Sequence, residues 1–178
     1  ASGEELGTTS DIVTDALTAF NMTAKDAGKF SDILAAASSN ANTNVSMMGE
    51  TFKYAAPVAG SLGYTAKDTA LAIGLMANSG IKASQAGTAL RAGLTNLVNP
   101  SKEMAKVMNK YGISLKDSKG QMKSFKEVIV ELRNKFGKLD KSTQAATIST
   151  LFGKEAMSGW LAIINASDQD FNKLSDAI

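Results

Sequence analysis

Apolar and polar positions alternate along this chain with a helical period almost throughout. In SFKEVIVELRNKFG (124–137), Phe125, Val128, Ile129, Leu132 and Phe136 recur at i, i+3, i+4 and i+7, which places them on one face of a helix. Ser124 and Glu127 form a capping-box pair at its start, and Gly137 suits its end. NPSKEMAKVMNKYG (99–112) predicts another helix, with Asn99 as cap, Pro100 at the first position and Met104, Val107, Met108 and Tyr111 on one face. Ala145, Ile148, Leu151 and Phe152 pattern a third over 142–153, and Met157, Trp160, Leu161 and Ile164 a fourth over 154–165, with Gly153 between them as a C-cap and hinge. Ser167 and Asp170 cap a short final helix.

The first hundred residues carry a recurring signature. NMTAKDA (21–27), GYTAKDT (63–69) and GIKASQA (80–86) align position for position: Asn or Gly able to turn left-handed, an apolar residue, a cap position, alanine, then Asp or Gln. The third copy has Lys82 where the others have threonine, a weaker cap. The spacing is irregular, so these are repeated helix junctions and not a solenoid. Helices are expected over 9–20, 24–39, 45–61, 66–78 and 83–98, the third kinked at Pro57.

The pattern changes in GISLKDSKGQMK (112–123). Ile113 and Leu115 alternate with polar residues, and Asp117 to Gly120 suits a type I turn, so a small β-hairpin lying on the helices is expected. The fold class is therefore all-α, a compact multi-helix bundle with a small β-hairpin near residues 112–123. We expect one domain in two parts, an Ala/Gly-rich helical part (1–100) and a basic helical part with the hairpin (101–178).

Small residues cluster on two of these helices. Ala70, Gly74 and Ala77 share a face of the fourth; Ala83 and Gly87 share a face with Leu90 and Leu94 on the fifth. A glycine in a helix interior costs about 1 kcal/mol against alanine, so Gly74, Gly87 and Gly93 require a compensating close approach of backbones. That neighbour is either within the fold or a partner helix. Arg91, one turn beyond Gly87, either braces the edge of the stripe by reaching helix-end carbonyls or a carboxylate such as Asp68, or meets a partner.

Composition narrows the chemistry. Of 178 residues, 44% are apolar and 20% charged, ordinary globular usage. Histidine and cysteine are both absent, which removes Ser-His-Asp, Cys-His, HExxH and thiolate-metal chemistry. No phosphate-binding Gly-rich loop, EF-hand or nucleophile elbow is present, so no cofactor, metal or small-molecule substrate is expected. The carboxylate pairs Glu4–Glu5, Asp11–Asp15 and Asp168–Asp170 lie in polar surroundings and read as caps and solubilising charge. The longest uncharged apolar-leaning run (69–81) is too short to span a bilayer. ASGEELGTTS has no signal-peptide character and is expected to begin a fragment of a longer protein.

Net charge is +2, but between Lys102 and Lys141 eleven basic residues face five acidic ones. Lys102, Lys106 and Lys110 form an i, i+4 ladder opposite Met104 and Met108, either a solvated face or a contact for an anionic partner. No aromatic residues interleave to stack bases, so only non-specific nucleic-acid contact is compatible.

The run GLMANSGIKASQAGTALRAGLTNLVNP, followed by GIS, DSKGQMKS and LFGKEA, closely resembles the core region of phage tail tape measure proteins of the TP901 type. AGTALR (86–91), with Ala86, Gly87, Thr88, Leu90 and Arg91, is the most specific part; AAPVAGSLGYTAKDTA and LFGKEA support it. The resemblance implies a non-enzymatic virion component acting in tail-length determination, tail assembly and genome ejection. It implies a place in the tail tube lumen or tip, partners among tube and tip proteins and assembly chaperones, and self-association of the full-length protein. The alternatives are an envelope-active segment, membrane-binding or wall-degrading, and a lumen protein contacting DNA. As one straight helix the chain would reach about 270 Å, but its capped junctions imply a region folded back on itself, distinct from the ruler.

Overall fold

The computed structural model describes residues 3–178, with side-chain surroundings from residue 11 onward. The described residues form ten α-helices: α1 (Gly3–Ala19), α2 (Ala27–Asn40), α3 (Val45–Ser61), α4 (Ala66–Asn78), α5 (Ala83–Val98), α6 (Lys102–Tyr111), α7 (Phe125–Phe136), α8 (Lys141–Phe152), α9 (Met157–Asn165) and α10 (Asp168–Ala177). A short 3-10 turn, Ala24–Asp26, leads into α2.

The repeated signature is a repeated backbone device. Met22, Tyr64 and Ile81 each donate their amide to the carbonyl five residues back, Leu17, Ala59 and Met76, while Asn21, Gly63 and Gly80 bond three residues back. These paired bonds are the Schellman closure of a helix, and they require a left-handed residue at the position where the signature begins. Asn21, Gly63 and Gly80 have φ of 53°, 76° and 84°. Gly112, at φ 69°, closes α6 in the same way, with Ile113 bonded to Met108.

The caps after the three signature closures differ. Thr23 and Asp26 form a reciprocal capping box, and the Thr65 hydroxyl accepts from the Asp68 amide. Lys82 makes no side-chain cap, and Ala83 opens α5 at φ 52°, a conformation alanine rarely adopts. The Thr51 hydroxyl on α3 donates to the Ala83 carbonyl at 2.8 Å. This bond ties the head of α5 to α3 through a carbonyl; it leaves the first amides of α5 without a side-chain cap.

α4 is the centre of the fold. From Thr69 to Ala77 every residue is buried, because α2, α3, α5, α7, α9 and α10 surround the helix. A helix apolar all round is one that neighbours enclose. Its neighbours come from both halves of the sequence, and one continuous core runs from Phe30 and Phe52 through Leu75 and Leu90 to Phe125, Phe136 and Trp160. α3 continues through Pro57.

Three expectations need correction. No β-hairpin strands form among the described residues; residues 112–123 hold one isolated antiparallel bridge, Lys116 to Met122. The Asp117 carboxylate accepts from the Lys119 and Gln121 amides, and the Ser114 hydroxyl bonds to Lys116. The Asp117 side chain thereby takes the Gln121 amide that would extend the pairing toward the turn. α6 begins at Lys102, not Pro100, because the Ser101 hydroxyl caps it by accepting from Met104. α9 begins at Met157, since Gly153 at φ 90°, ψ 154° turns the chain out of helix before it resumes.

Candidate functional site

The AGTALR segment lies on α5 where it crosses α3. Gly87 is buried there: a Cβ on it would stand 2.8 Å from Tyr54 Cβ and 2.9 Å from the Thr51 carbonyl oxygen. Its missing side chain is what lets α3 approach. One turn on, the Arg91 guanidinium lies over the Tyr54 ring, 5.5 Å from its centroid. Gly87 and Arg91 therefore seat one side chain, its base against the glycine and its face beneath the cation. Arg91 does not reach Asp68. That carboxylate instead accepts from the Lys126 amide at the start of α7, fixing α7 to the head of α4. Ala86 and Leu90 are fully buried and Thr88 is exposed.

Other small residues make separate seats. A Cβ at Gly93 would fall 2.1 Å from Trp160 Nε1. The indole occupies this notch, donates to the Ala89 carbonyl at 2.8 Å and stacks on Phe152 with centroids 4.3 Å apart. On the facing helix, Gly159 lies against Ala89 and Met76. Gly74 on α4 receives Leu174 of α10. Gly80 and Gly153 have open space around their α-carbons and serve the turns, through positive φ. Thus the structure brings Ala83, Gly87 and Arg91 together around Thr51 and Tyr54 and leaves Gly74, Gly80 and Gly153 elsewhere.

Lys102, Lys106 and Lys110 are exposed on α6. Lys110 lies over the adjacent Tyr111 ring. Among the described residues the ion pairs are Lys123–Glu131 and Arg133–Asp168, so the ladder has no carboxylate partner.

The role expected of Arg91 is performed by Arg133. Its guanidinium donates to the Ile163 carbonyl near the end of α9 at 2.9 Å and to Asp168 at 3.0 Å, and covers the Phe171 ring. Its position on the half-apolar α7 gave no signal of these partners. Gln144, buried between α7 and α9, is likewise satisfied by the Phe136 carbonyl and a two-way amide pair with Asn165.

Burial raises Tyr64 to about 12; its ring stacks on Phe125, and its hydroxyl has no hydrogen-bond partner among the described residues. Asp140, the N-cap of α8, is lowered chiefly by the Thr143 side chain and then by the Thr143 amide, both hydrogen-bonded to its carboxylate.

The carboxylate pairs are spread out. Asp11 and Asp15 line a cavity of about 500 Å3 between α1 and α3 with Glu50 and Lys53, all solvent-exposed. Asp168 is an exposed partner of Arg133, and Asp170 lies in the first turn of α10. The Glu4 and Glu5 side chains lie outside the described residues. Among the described residues no acidic group is arranged to hold a metal ion, and no helix is long and apolar enough to cross a membrane.

The family model for phage-related minor tail proteins matches residues 1–153. The chain is 37% identical to the tape measure protein of Pneumococcus phage Dp-1 over 177 residues, 99% of this chain and 15% of that protein. It is 28% identical to the probable tape measure protein of Escherichia phage P2 over 151 residues, 84% of this chain and 18% of that protein. The chain thus spans less than a fifth of the length of these relatives. No solved structure matches it.

Proposed function

This chain belongs to the phage-related minor tail protein family, and from that premise we propose that it is the folded helical core of a tape measure protein. In this reading it is a structural, non-enzymatic part of a phage or prophage tail, acting in tail-length determination, assembly and genome delivery. Its place is the virion, in the tail tube lumen or tip, and its partners are other tail proteins and further copies of the full-length protein. The observation that carries the reading is the alignment of nearly the whole chain with the tape measure protein of the pneumococcal phage.

The fold supports a division of labour. α4 is enclosed on all sides and α5 buries one whole face against the core, so a deletion there removes core, whereas a deletion in an extended ruler removes only length. In the full-length protein, an in-frame deletion of helical sequence outside this region should shorten tails in proportion. Removing residues 66–98 should block tail formation or infection without a graded shortening. Electron micrographs of the two mutants decide: tails that merely shorten after the 66–98 deletion would contradict the assignment.

A further inference from the structure

Independently of the tail reading, the geometry points to a face that holds the phosphate backbone of duplex DNA without reading its sequence, built by α6, the end of α7 and the start of α8. α6 packs along α8, and the two run antiparallel. At one end the Tyr111 ring meets Phe136, with centroids 5.1 Å apart, and Gln144 of α8 donates to the Phe136 carbonyl. At the other, Asn96, shortly before α6, donates to the Leu151 carbonyl in the last turn of α8. Lys102, Lys106 and Lys110 run along α6 opposite the residues that pack on the core. Where α6 stops, a Cβ on Gly112 would stand 3.8 Å from Lys135 Nζ, and Lys138 and Lys141 follow on the turn into α8. All six lysines are exposed, and none has a carboxylate partner among the described residues.

The fold accounts for part of this charge and not the rest. Lys110 and Lys135 lie in the last turns of α6 and α7, where a cation complements the helix dipole. Lys102 and Lys141 are the first residues of α6 and α8, the end where a cation is disfavoured. Within 102–111 and 135–145 the carboxylates are Glu103 and Asp140, and Asp140 is engaged as the α8 cap. Protein and DNA differ in what else they require. A protein interface needs a buried apolar centre, and the large apolar side chains left exposed among the described residues, Met47, Val98 and Met122, lie on none of these three helices. Phosphate contact needs cations and small polar donors, and Ser142, Thr143 and Thr150 are exposed on α8. Tyr111, the aromatic residue of α6, is packed on the core and offers no platform for an unpaired base, which favours the duplex.

The probe is a fluorescent DNA duplex of arbitrary sequence, and the measurement is its anisotropy with this chain over a series of salt concentrations. Binding should be saturable at about 50 mM salt, and log K should fall linearly with log salt. Combined Lys102→Gln, Lys106→Gln and Lys110→Gln should weaken it by about tenfold or more and lower the salt slope by about 2 to 3. Combined Lys135→Gln, Lys138→Gln and Lys141→Gln should do the same. Lys25→Gln, Lys29→Gln and Lys53→Gln together remove equal charge from exposed lysines elsewhere, and should change affinity by less than about threefold because salt screens distant charges. Melting curves verify that each variant is folded. Absence of binding at about 50 mM salt, parent-like binding by either triple variant of the face, or equal weakening by the distant triple would overturn the proposal. So would displacement of the duplex by poly-glutamate at equal charge concentration, which would assign the face to an acidic protein.

Discussion

α5 and α6 are consecutive in the chain and use their surfaces in opposite ways. α5 buries Ala86, Gly87, Ala89, Leu90, Gly93, Leu94 and Leu97, and its two buried interior glycines are filled by Tyr54 and Trp160. α6 buries no residue fully, although its apolar and polar faces are more sharply divided; Met104, Val107, Met108 and Tyr111 are half-buried against the core. Sharp amphipathicity marks a helix with one neighbour and much water around it. Small residues mark a helix whose neighbours come too close for larger ones. The contrast separates the part of this molecule that holds the fold from the part left available to others.

Substitutions along the two helices should break that contrast in a graded order. Trp160→Ala should cost most, about 3–5 kcal/mol, because it empties the Gly93 notch and removes the bond to the Ala89 carbonyl; urea unfolding of the isolated chain measures it. Gly87→Leu should cost about 1–3 kcal/mol by overpacking, since the Thr51 backbone cannot rotate away as a side chain could; an unchanged melting midpoint would deny the close α3–α5 crossing. Arg91→Ala should cost about 0.5–1 kcal/mol, the scale of an exposed cation over an aromatic face. Lys102→Gln, Lys106→Gln and Lys110→Gln should each change stability by less than about 0.5 kcal/mol. A larger loss at any lysine would place α6 within the stabilising structure and end the distinction.

Local signals in the chain foretold local structure. The Ser124–Glu127 capping box opens α7 as expected, and the three aligned junctions mark three helix closures, because both depend on residues within one turn. Ser101 displaced Asn99 and Pro100 as the head of α6, a competition between neighbouring caps that spacing alone does not rank. The 112–123 turn alternates like a strand, yet Asp117 and Ser114 satisfy its backbone from their own side chains. The partners of the small residues were not legible. That Gly87 and Gly93 needed close neighbours is a consequence of helix propensity; that the neighbours are Tyr54 and Trp160 depends on how helices 33 and 67 residues away pack, which no local pattern records. Arg91 and Arg133 were indistinguishable in advance for the same reason, and the bracing role fell to the second.

The central claim, that the glycine notches of α5 are seats for this chain's own side chains, is tested most directly by a double-mutant cycle at Gly93 and Trp160. The three nearest atoms that a Gly93 Cβ would meet all belong to Trp160. Gly93→Ala should therefore be strongly destabilising in the parent chain and nearly harmless once Trp160→Leu has cleared the notch, a coupling of more than about 1 kcal/mol in urea unfolding, well above the ~0.5 kcal/mol within which independent sites add. Additive losses would contradict the account and leave those glycines free for a partner.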